Sequence, residues 1–199
     1  MNIAVILAAG TGSRFGSDIP KQYLEVAGRS VLAHSIAAFD SHPAINRVMV
    51  VVAVDRIASV RAMVAAEHFG KVTDVIAGGK ERYHSTMAAL KLCPHPDDML
   101  LFHDAARPMV SHAIIDRCVA MFGRYDAVDV AVKATDTILV VDSDDVITDI
   151  PLRATLRNSQ TPQCFRCRLL KQAYKLALAD PYFTATDEGG VVRRDMQNG

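Results

Sequence analysis

Three clusters of small, cationic and acidic residues follow apolar runs in this chain, and each has the composition needed to work on phosphate. The first is Leu7-Ala8-Ala9-Gly10-Thr11-Gly12-Ser13-Arg14, with Pro20-Lys21-Gln22 close behind. Ala8, Ala9, Gly10, Gly12 and Ser13 let backbone amides close on an anion, because glycine lacks a Cβ and tolerates φ > 0. Arg14 and Lys21 supply two cations that repel each other on such a nest unless a polyphosphate lies between them. The second cluster, Gly78-Gly79-Lys80-Glu81-Arg82-Tyr83-His84-Ser85, offers close backbone approach, a guanidinium and a hydroxyl at a helix N-terminus. The third is His103-Asp104-Ala105-Ala106-Arg107-Pro108. Asp104 either meets a Mg²⁺ that bridges substrate phosphates, or caps the turn or pairs with Arg107. His103 invites a general-base role, but an anionic phosphate nucleophile needs no base, so a structural histidine is expected.

Counting removes two better-known loops. A Walker A loop requires G-x-x-x-x-G-K-[ST], yet five positions after Gly10 stands Phe15, and Gly16 is followed by Ser17 and Asp18. The dinucleotide fingerprint G-x-G-x-x-G is met at Gly10 and Gly12 but has Phe15 at its third glycine, which weakens an NAD reading. Cys164-Phe165-Arg166-Cys167 has C-x-x-C spacing but no second ligand pair for zinc, and reads as two incidental thiols at a helix entrance.

The elements that must position these clusters alternate between strand and helix. Apolar runs at 3–7, 48–54, 72–76, 99–102 and 127–132 read as strands, and helical spacing is found over 31–39, 82–92, 113–122 and 166–178. Asp55 is expected to cap a further helix that runs to about Glu67. This βαβ alternation predicts an α/β fold with a mostly parallel sheet sandwiched by helices, and ligands in such sheets sit beyond the carboxyl ends of the strands. Runs at 137–141 and 146–150, separated by Asp142-Ser143-Asp144-Asp145, signal a hairpin that projects as a β-arm over about 135–160. Exposed Ile138, Val140 and Ile147 on such an arm call for a second subunit to cover them, so a homodimer is expected.

The 199 residues, 50% of them hydrophobic, suit one domain spanning 1–199 with a real core. Lys plus Arg and Asp plus Glu are equal at 22 each, which excludes bulk attraction to nucleic acid or an anionic membrane and makes any phosphate binding local. Four scattered cysteines suggest no disulfide framework, and the N-terminus carries no signal-peptide or membrane-spanning pattern, so a cytoplasmic setting is expected.

In order along the chain, Leu7 to Arg14, Pro20-Lys21-Gln22, Gly78-Gly79-x-x-Arg82-x-x-Ser85, His103 to Pro108, Asp136-Thr137 and Thr161-Pro162-Gln163 resemble the cytidylyltransferases acting on sugar-alcohol phosphates. That resemblance spans nearly the whole chain, from Ile3 to about Val192. It implies a Rossmann-like nucleotidyltransferase that converts CTP and an alditol phosphate to a CDP-alditol and pyrophosphate with Mg²⁺. By the same resemblance Arg14 and Lys21 stabilise charge at the α-phosphate and the leaving pyrophosphate. The implied nucleotide site comprises Leu7, Ala8, Ala9, Gly10, Thr11, Gly12, Ser13, Gly78, Gly79, Arg82, Ser85 and Asp104. Within it the Gly10 loop holds the phosphates, Ala8, Ala9, Gly79 and Ser85 line the cytidine, and Asp104 assists the metal. Arg107, Thr137, Arg153 and Thr161 fall to the alditol phosphate.

The stretches Val146 to Arg153, Ala127-Val128-Asp129 and Asp136-Thr137-Ile138 look more like the ribitol-5-phosphate branch, including forms fused to a reductase, than the 2-C-methyl-D-erythritol 4-phosphate branch of isoprenoid synthesis. Thr184-Ala185-Thr186-Asp187-Glu188 resembles both. Ribitol 5-phosphate is therefore the expected acceptor, with methylerythritol phosphate as the alternative. Family members continue with a final strand and an Asn-x-Lys segment whose lysine helps bind the acceptor, whereas this sequence ends Arg193 to Gly199. An incomplete acceptor site is expected on that ground, which keeps open a non-catalytic nucleotide-binding or dimerisation module.

Overall fold

Residues 3–6 and 48–52 are fully buried in the computed structural model, which describes residues 1–10, 19–93, 95–180, 183 and 187–197, with side chains up to 193. Both are aliphatic runs without alternation, the pattern of strands covered on both faces. In chain order the strands are β1 (Asn2–Ala8), β2 (Glu25–Val26), β3 (Arg29–Ser30), β4 (Arg47–Val52), β5 (Val72–Ala77), β6 (Met99–Asp104), β7 (Ala127–Lys133), β8 (Val140–Val141), β9 (Ile147–Asp149) and β10 (Arg157–Arg166). The α-helices are α1 (Val31–Asp40), α2 (Ile57–Ala66), α3 (Arg82–Lys91), α4 (His112–Met121), α5 (Cys167–Ala177) and α6 (Glu188–Gln197).

Six of these strands form one sheet in the order β5-β4-β1-β6-β10-β7. β1 pairs in parallel with β4 and with β6, β4 pairs in parallel with β5, and only β10 runs against its neighbours β6 and β7. The chain winds outward from β1 through β4 to β5, then returns to β6 on the other side of β1. That reversal makes a topological switch point between β1 and β6, and open α/β sheets take their ligands beyond the carboxyl ends of strands at such a point.

Side chains alternate across β1, so each face of the sheet has its own core. Ala4, Ile6 and Ala8 pack with Leu32, Ile36 and Phe39 of α1 and Ile115 of α4, while Ile3 and Val5 pack with Leu90 of α3, Leu170 and Tyr174 of α5 and Val191 of α6. The expected sandwich is therefore present. The Ser30 hydroxyl caps α1 by accepting from the Ala33 amide at 3.1 Å.

Several local expectations are corrected. Asp55 does not cap α2: it lies in a 3-10 turn, Val54–Arg56, and Arg56 occupies the cap position without a side-chain bond. β4 ends at Val52, and β6 continues through His103 and Asp104 instead of stopping before them. Cys164 and Cys167 are both buried, but they face opposite sides of the sheet, Cys164 with the α1 core and Cys167 with the α5 core.

The arm is a short antiparallel pair, β8 with β9, shorter than the two apolar runs predict. Its turn is built on Asp142, whose Oδ1 accepts from the amides of Asp144 and Val146, both at 3.0 Å. Ile138, Val140, Ile147 and Ile150 are between 42% and 58% exposed. Among the described residues no helix is long and apolar enough to cross a membrane.

Candidate active site

Register brings two of the three sequence clusters to the β1/β6 switch point. Leu7 lies opposite Asp104 of β6 on one side and Val51 of β4 on the other. The Ala105 amide donates to the Leu7 carbonyl at 3.0 Å, and the Gly78 amide to the Val52 carbonyl at 2.7 Å, so both following loops leave the sheet at one level.

These loops touch through small residues. A Cβ placed on Gly78 would lie 2.5 Å from Ala9 Cβ and 2.5 Å from Ser85 Oγ, a separation that only a glycine permits. Ala9, Gly78 and Ser85 thus form one wall, with Ser85 buried in the first turn of α3. Gly79 lies against His84, whose Nδ1 accepts from the Glu81 amide at 3.1 Å and closes the start of that helix.

Gln22 secures the first loop from below. It is buried, and its Nε2 donates to the carbonyls of Ala8 at 2.9 Å and Gly10 at 2.7 Å. The Ala8 carbonyl also accepts from the Tyr23 hydroxyl at 3.5 Å, so Gln22 and Tyr23 together tie the end of β1 to the Lys21–Tyr23 turn. The neighbouring Lys21 opens the same 3-10 turn, Lys21–Tyr23, and its side chain is exposed.

At the tip of β6, Asp104 is gripped from two sides. Its Oδ1 accepts from Arg82 Nη1 at 2.8 Å and its Oδ2 from Arg107 Nε at 3.2 Å. Burial pushes the Asp104 carboxyl up, but the two guanidinium groups outweigh it and hold it below the usual carboxylate range, so it is ionised at neutral pH. The rest of the Arg82 fork is spent on Glu188 at the start of α6: Nη2 donates to Oε2 at 2.9 Å and Nε lies 3.1 Å from the same oxygen. Arg107 Nη1 donates to Gln160 Oε1 of β10.

His103 is a satisfied core residue. It is fully buried, with Nε2 2.9 Å from the Arg107 carbonyl and Nδ1 2.9 Å from Thr161 Oγ1. A carbonyl can only accept, so the proton sits on Nε2 and Nδ1 accepts from the threonine hydroxyl. Burial pushes this imidazole down to about 4, which keeps it neutral across the physiological range.

Most described residues of the expected nucleotide site converge: Leu7, Ala8, Ala9, Gly10, Gly78, Ser85, Arg82 and Asp104 lie on or beside the ends of β1, β5 and β6. Thr11, Gly12, Ser13 and Arg14 lie outside the described residues. Thr161 sits beside the cluster, with its oxygen in reach of the Asp104 amide at 3.4 Å. Thr137 and Arg153 belong to the arm, where both are exposed and Arg153 Nη1 donates to the Thr135 carbonyl at 3.2 Å. Two residues gain roles that their motifs alone do not signal: Gln22 of Pro20-Lys21-Gln22 clamps the first loop, and Glu188 of Thr184 to Glu188 pairs with Arg82.

Among the described residues no group of three or more His, Cys, Asp or Glu side chains is placed to hold a metal ion. The ionised Asp104 accepts one bond from Arg82 and one from Arg107, and a carboxylate has about four acceptor positions. Asp104 thus keeps acceptor positions with which a single carboxylate could join a divalent cation.

Residues 2–197 match the model of the IspD family, 2-C-methyl-D-erythritol 4-phosphate cytidylyltransferase. The chain is 43% identical over 197 residues to the 2-C-methyl-D-erythritol 4-phosphate cytidylyltransferase of Thermobifida fusca, covering 96% of this chain and 79% of that protein. It is also 41% identical over 178 residues to the bifunctional ribulose 5-phosphate reductase/CDP-ribitol pyrophosphorylase Bcs1 of Haemophilus influenzae, covering 88% of this chain and 38% of that protein. The fold matches the crystal structure of 4-diphosphocytidyl-2C-methyl-D-erythritol synthase from Anaerococcus prevotii with a TM-score of 0.84 at 28% identity, covering 97% of this chain and 81% of that one.

Proposed function

Since the chain belongs to the 2-C-methyl-D-erythritol 4-phosphate cytidylyltransferase family and is a cytidylyltransferase, we propose that its acceptor is 2-C-methyl-D-erythritol 4-phosphate. The observation that carries this choice is the match of residues 2–197 to that family's model. It replaces ribitol 5-phosphate, which the arm sequences favour, as the leading acceptor. The reaction joins a phosphate oxygen of the acceptor to the α-phosphorus of CTP and breaks the bond to the β-phosphate oxygen, releasing pyrophosphate.

In this reading Ala8, Ala9, Gly79 and Ser85 line the cytidine, and the backbone from Gly10 to Ser13 holds the triphosphate. Lys21 and Arg14 neutralise charge that builds on the α-phosphate and the leaving pyrophosphate. Little covalent chemistry is asked of the protein, so the rate comes from in-line positioning and fixed positive charge. Asp104 would hold a Mg²⁺ brought by CTP, and that ion would supply further charge neutralisation. Arg107 and Thr161 stand near Asp104, while Arg153 and Thr137 on the arm complete the acceptor-phosphate site. The exposed apolar arm supports a homodimer in which a second copy covers Ile138, Val140, Ile147 and Ile150.

Ribitol 5-phosphate stands as the second reading because the Haemophilus influenzae relative is 41% identical, against 43% for the Thermobifida fusca one. Pyrophosphate release from CTP with each alditol phosphate in turn separates the two. Higher kcat/KM with methylerythritol phosphate is expected, and a preference for ribitol phosphate would overturn the choice.

A further inference from the structure

Glu188 is a carboxylate with none of its surface exposed, a placement that is costly unless every oxygen is met. Its Oε1 accepts from the Thr86 hydroxyl at 2.6 Å and its Oε2 from Arg82 Nη2 at 2.9 Å, while Arg82 Nε bridges both oxygens at 3.2 and 3.1 Å. The third arm of the same guanidinium, Nη1, reaches Asp104 Oδ1 at 2.8 Å. A planar fork held on two of its nitrogens cannot turn, so the direction of Nη1 is dictated by Glu188.

The base of α6 is fixed as firmly. Asp187 Oδ1 accepts from the Gly190 amide at 2.8 Å, and Asp187 Oδ2 accepts from Gln163 Nε2 at 3.3 Å, which ties the helix start to β10. Two adjacent acidic residues therefore join α6 to α3 on one side and to the strand beside β6 on the other. A buried ion pair adds little net stability, because desolvation consumes most of its attraction. Its effect here is geometric.

We propose that Glu188 is a positioning residue of the nucleotide site, acting through Arg82 to aim the Asp104 carboxylate and to keep the Arg82 guanidinium off the nucleotide's phosphates. The proposal rests on the nucleotide reading of the Gly78 to Ser85 loop and adds to it a residue 106 positions away from Arg82. Without the Glu188 charge, Arg82 has a spare fork beside a polyphosphate and Asp104 loses its fixed partner. Nucleotide handling should suffer, and the arm side of the site should not.

The test compares wild type, Glu188→Gln, Arg82→Gln and the double variant in the full chain, with folding followed by circular dichroism. Each single substitution is expected to lower kcat/KM for CTP by about tenfold or more, as misplacement of a positioning group does, with the acceptor KM within about twofold of wild type. The double variant should fall no further than the worse single, since both act through one contact. A folded Glu188→Gln with kcat/KM for CTP near wild type, or losses that multiply in the double variant, would overturn the proposal. If Glu188→Gln does not fold, Thr86→Val removes one donor from the same carboxylate and should lower kcat/KM for CTP at least threefold, by the same reasoning; no change there overturns it. Kinetics are read with whichever alditol phosphate the wild type accepts, and with CTP binding by calorimetry if it accepts none. A wild-type chain that neither binds CTP nor releases pyrophosphate would instead overturn the nucleotide reading.

Discussion

Gly78→Ala puts the junction of the two loops under direct test. The added methyl carbon would stand 2.5 Å from Ala9 Cβ, 2.5 Å from Ser85 Oγ and 3.1 Å from Val51 Cγ1. Carbon contacts settle at roughly 3.5–4.0 Å, so about 1 Å must be found on two sides at once. Ser85 is buried and Val51 lies in a central strand, so the loop carrying Ala9 is the part that must yield. Overpacking of this kind costs about 1–3 kcal/mol. For a domain of this size each kcal/mol shifts Tm by about 2–4 °C, which gives an expected drop of about 2–12 °C. A shift near 1 Å in a substrate-positioning loop is worth on the order of 10²-fold in rate, so kcat/KM for CTP should fall by about that factor. Thermal denaturation and pyrophosphate release at varied CTP read both effects. Gly70→Ala is the control, because its Cβ meets nothing within 4 Å, so its Tm should hold or rise by the equivalent of about 0.4–1 kcal/mol. A Gly78→Ala protein with wild-type Tm and wild-type KM for CTP would refute the contact between the loops.

Three further outcomes are expected. Gln22→Ala removes the bonds to the Ala8 and Gly10 carbonyls, leaving Ala8 only the Tyr23 hydroxyl, and should cost about 0.5–1.5 kcal/mol per bond while raising KM for CTP; an unchanged KM would show that the clamp does not shape the loop. His103 has its folded value pushed down to about 4 from an ordinary 6.5, so the unfolded chain binds its proton first as pH falls. Its stabilising contribution is complete above about pH 6.5 and is lost between there and pH 4, by about 3 kcal/mol in all, and a flat urea midpoint across that window would contradict it. Pairing Ile147→Asp with Ile150→Asp on the arm should convert a dimer to a monomer in sedimentation velocity, and a dimer that survives both charges would place the subunit contact elsewhere.

The sheet was legible in the sequence wherever burial on both faces left an unbroken aliphatic run, as in β1 and β4. β10 escaped because it is rich in polar residues and contains Pro162, features that argue against a central strand. It is tolerated because its pairing with β7 breaks register between Ser159 and Gln163, around that proline. α6 escaped for a different reason: Gly189 and Gly190 open it, and their low helix propensity hides a helix that Asp187 caps and Val191 and Val192 bury. At the site, the loop motifs announced themselves through residue type. The Arg82–Glu188 pair did not, because nothing local in either segment points to a partner so far along the chain.

The two acceptor readings share their nucleotide half. The chain is 43% identical to a relative named for methylerythritol phosphate and 41% identical to one named for CDP-ribitol, so overall likeness does not separate the two acceptors. The motifs around Gly10, Gly78 and Asp104 stand at the ends of β1, β5 and β6 and, in the proposed reading, meet the CTP that both reactions share. Thr137 and Arg153 sit on an exposed arm with no core to constrain it, so discrimination between alditols is best sought there. It follows that CTP affinity carries no information on the acceptor, whereas the ratio of kcat/KM for the two alditol phosphates does. It follows too that substitutions at Glu188 and Gly78 should leave that ratio unchanged even as they lower both of its members.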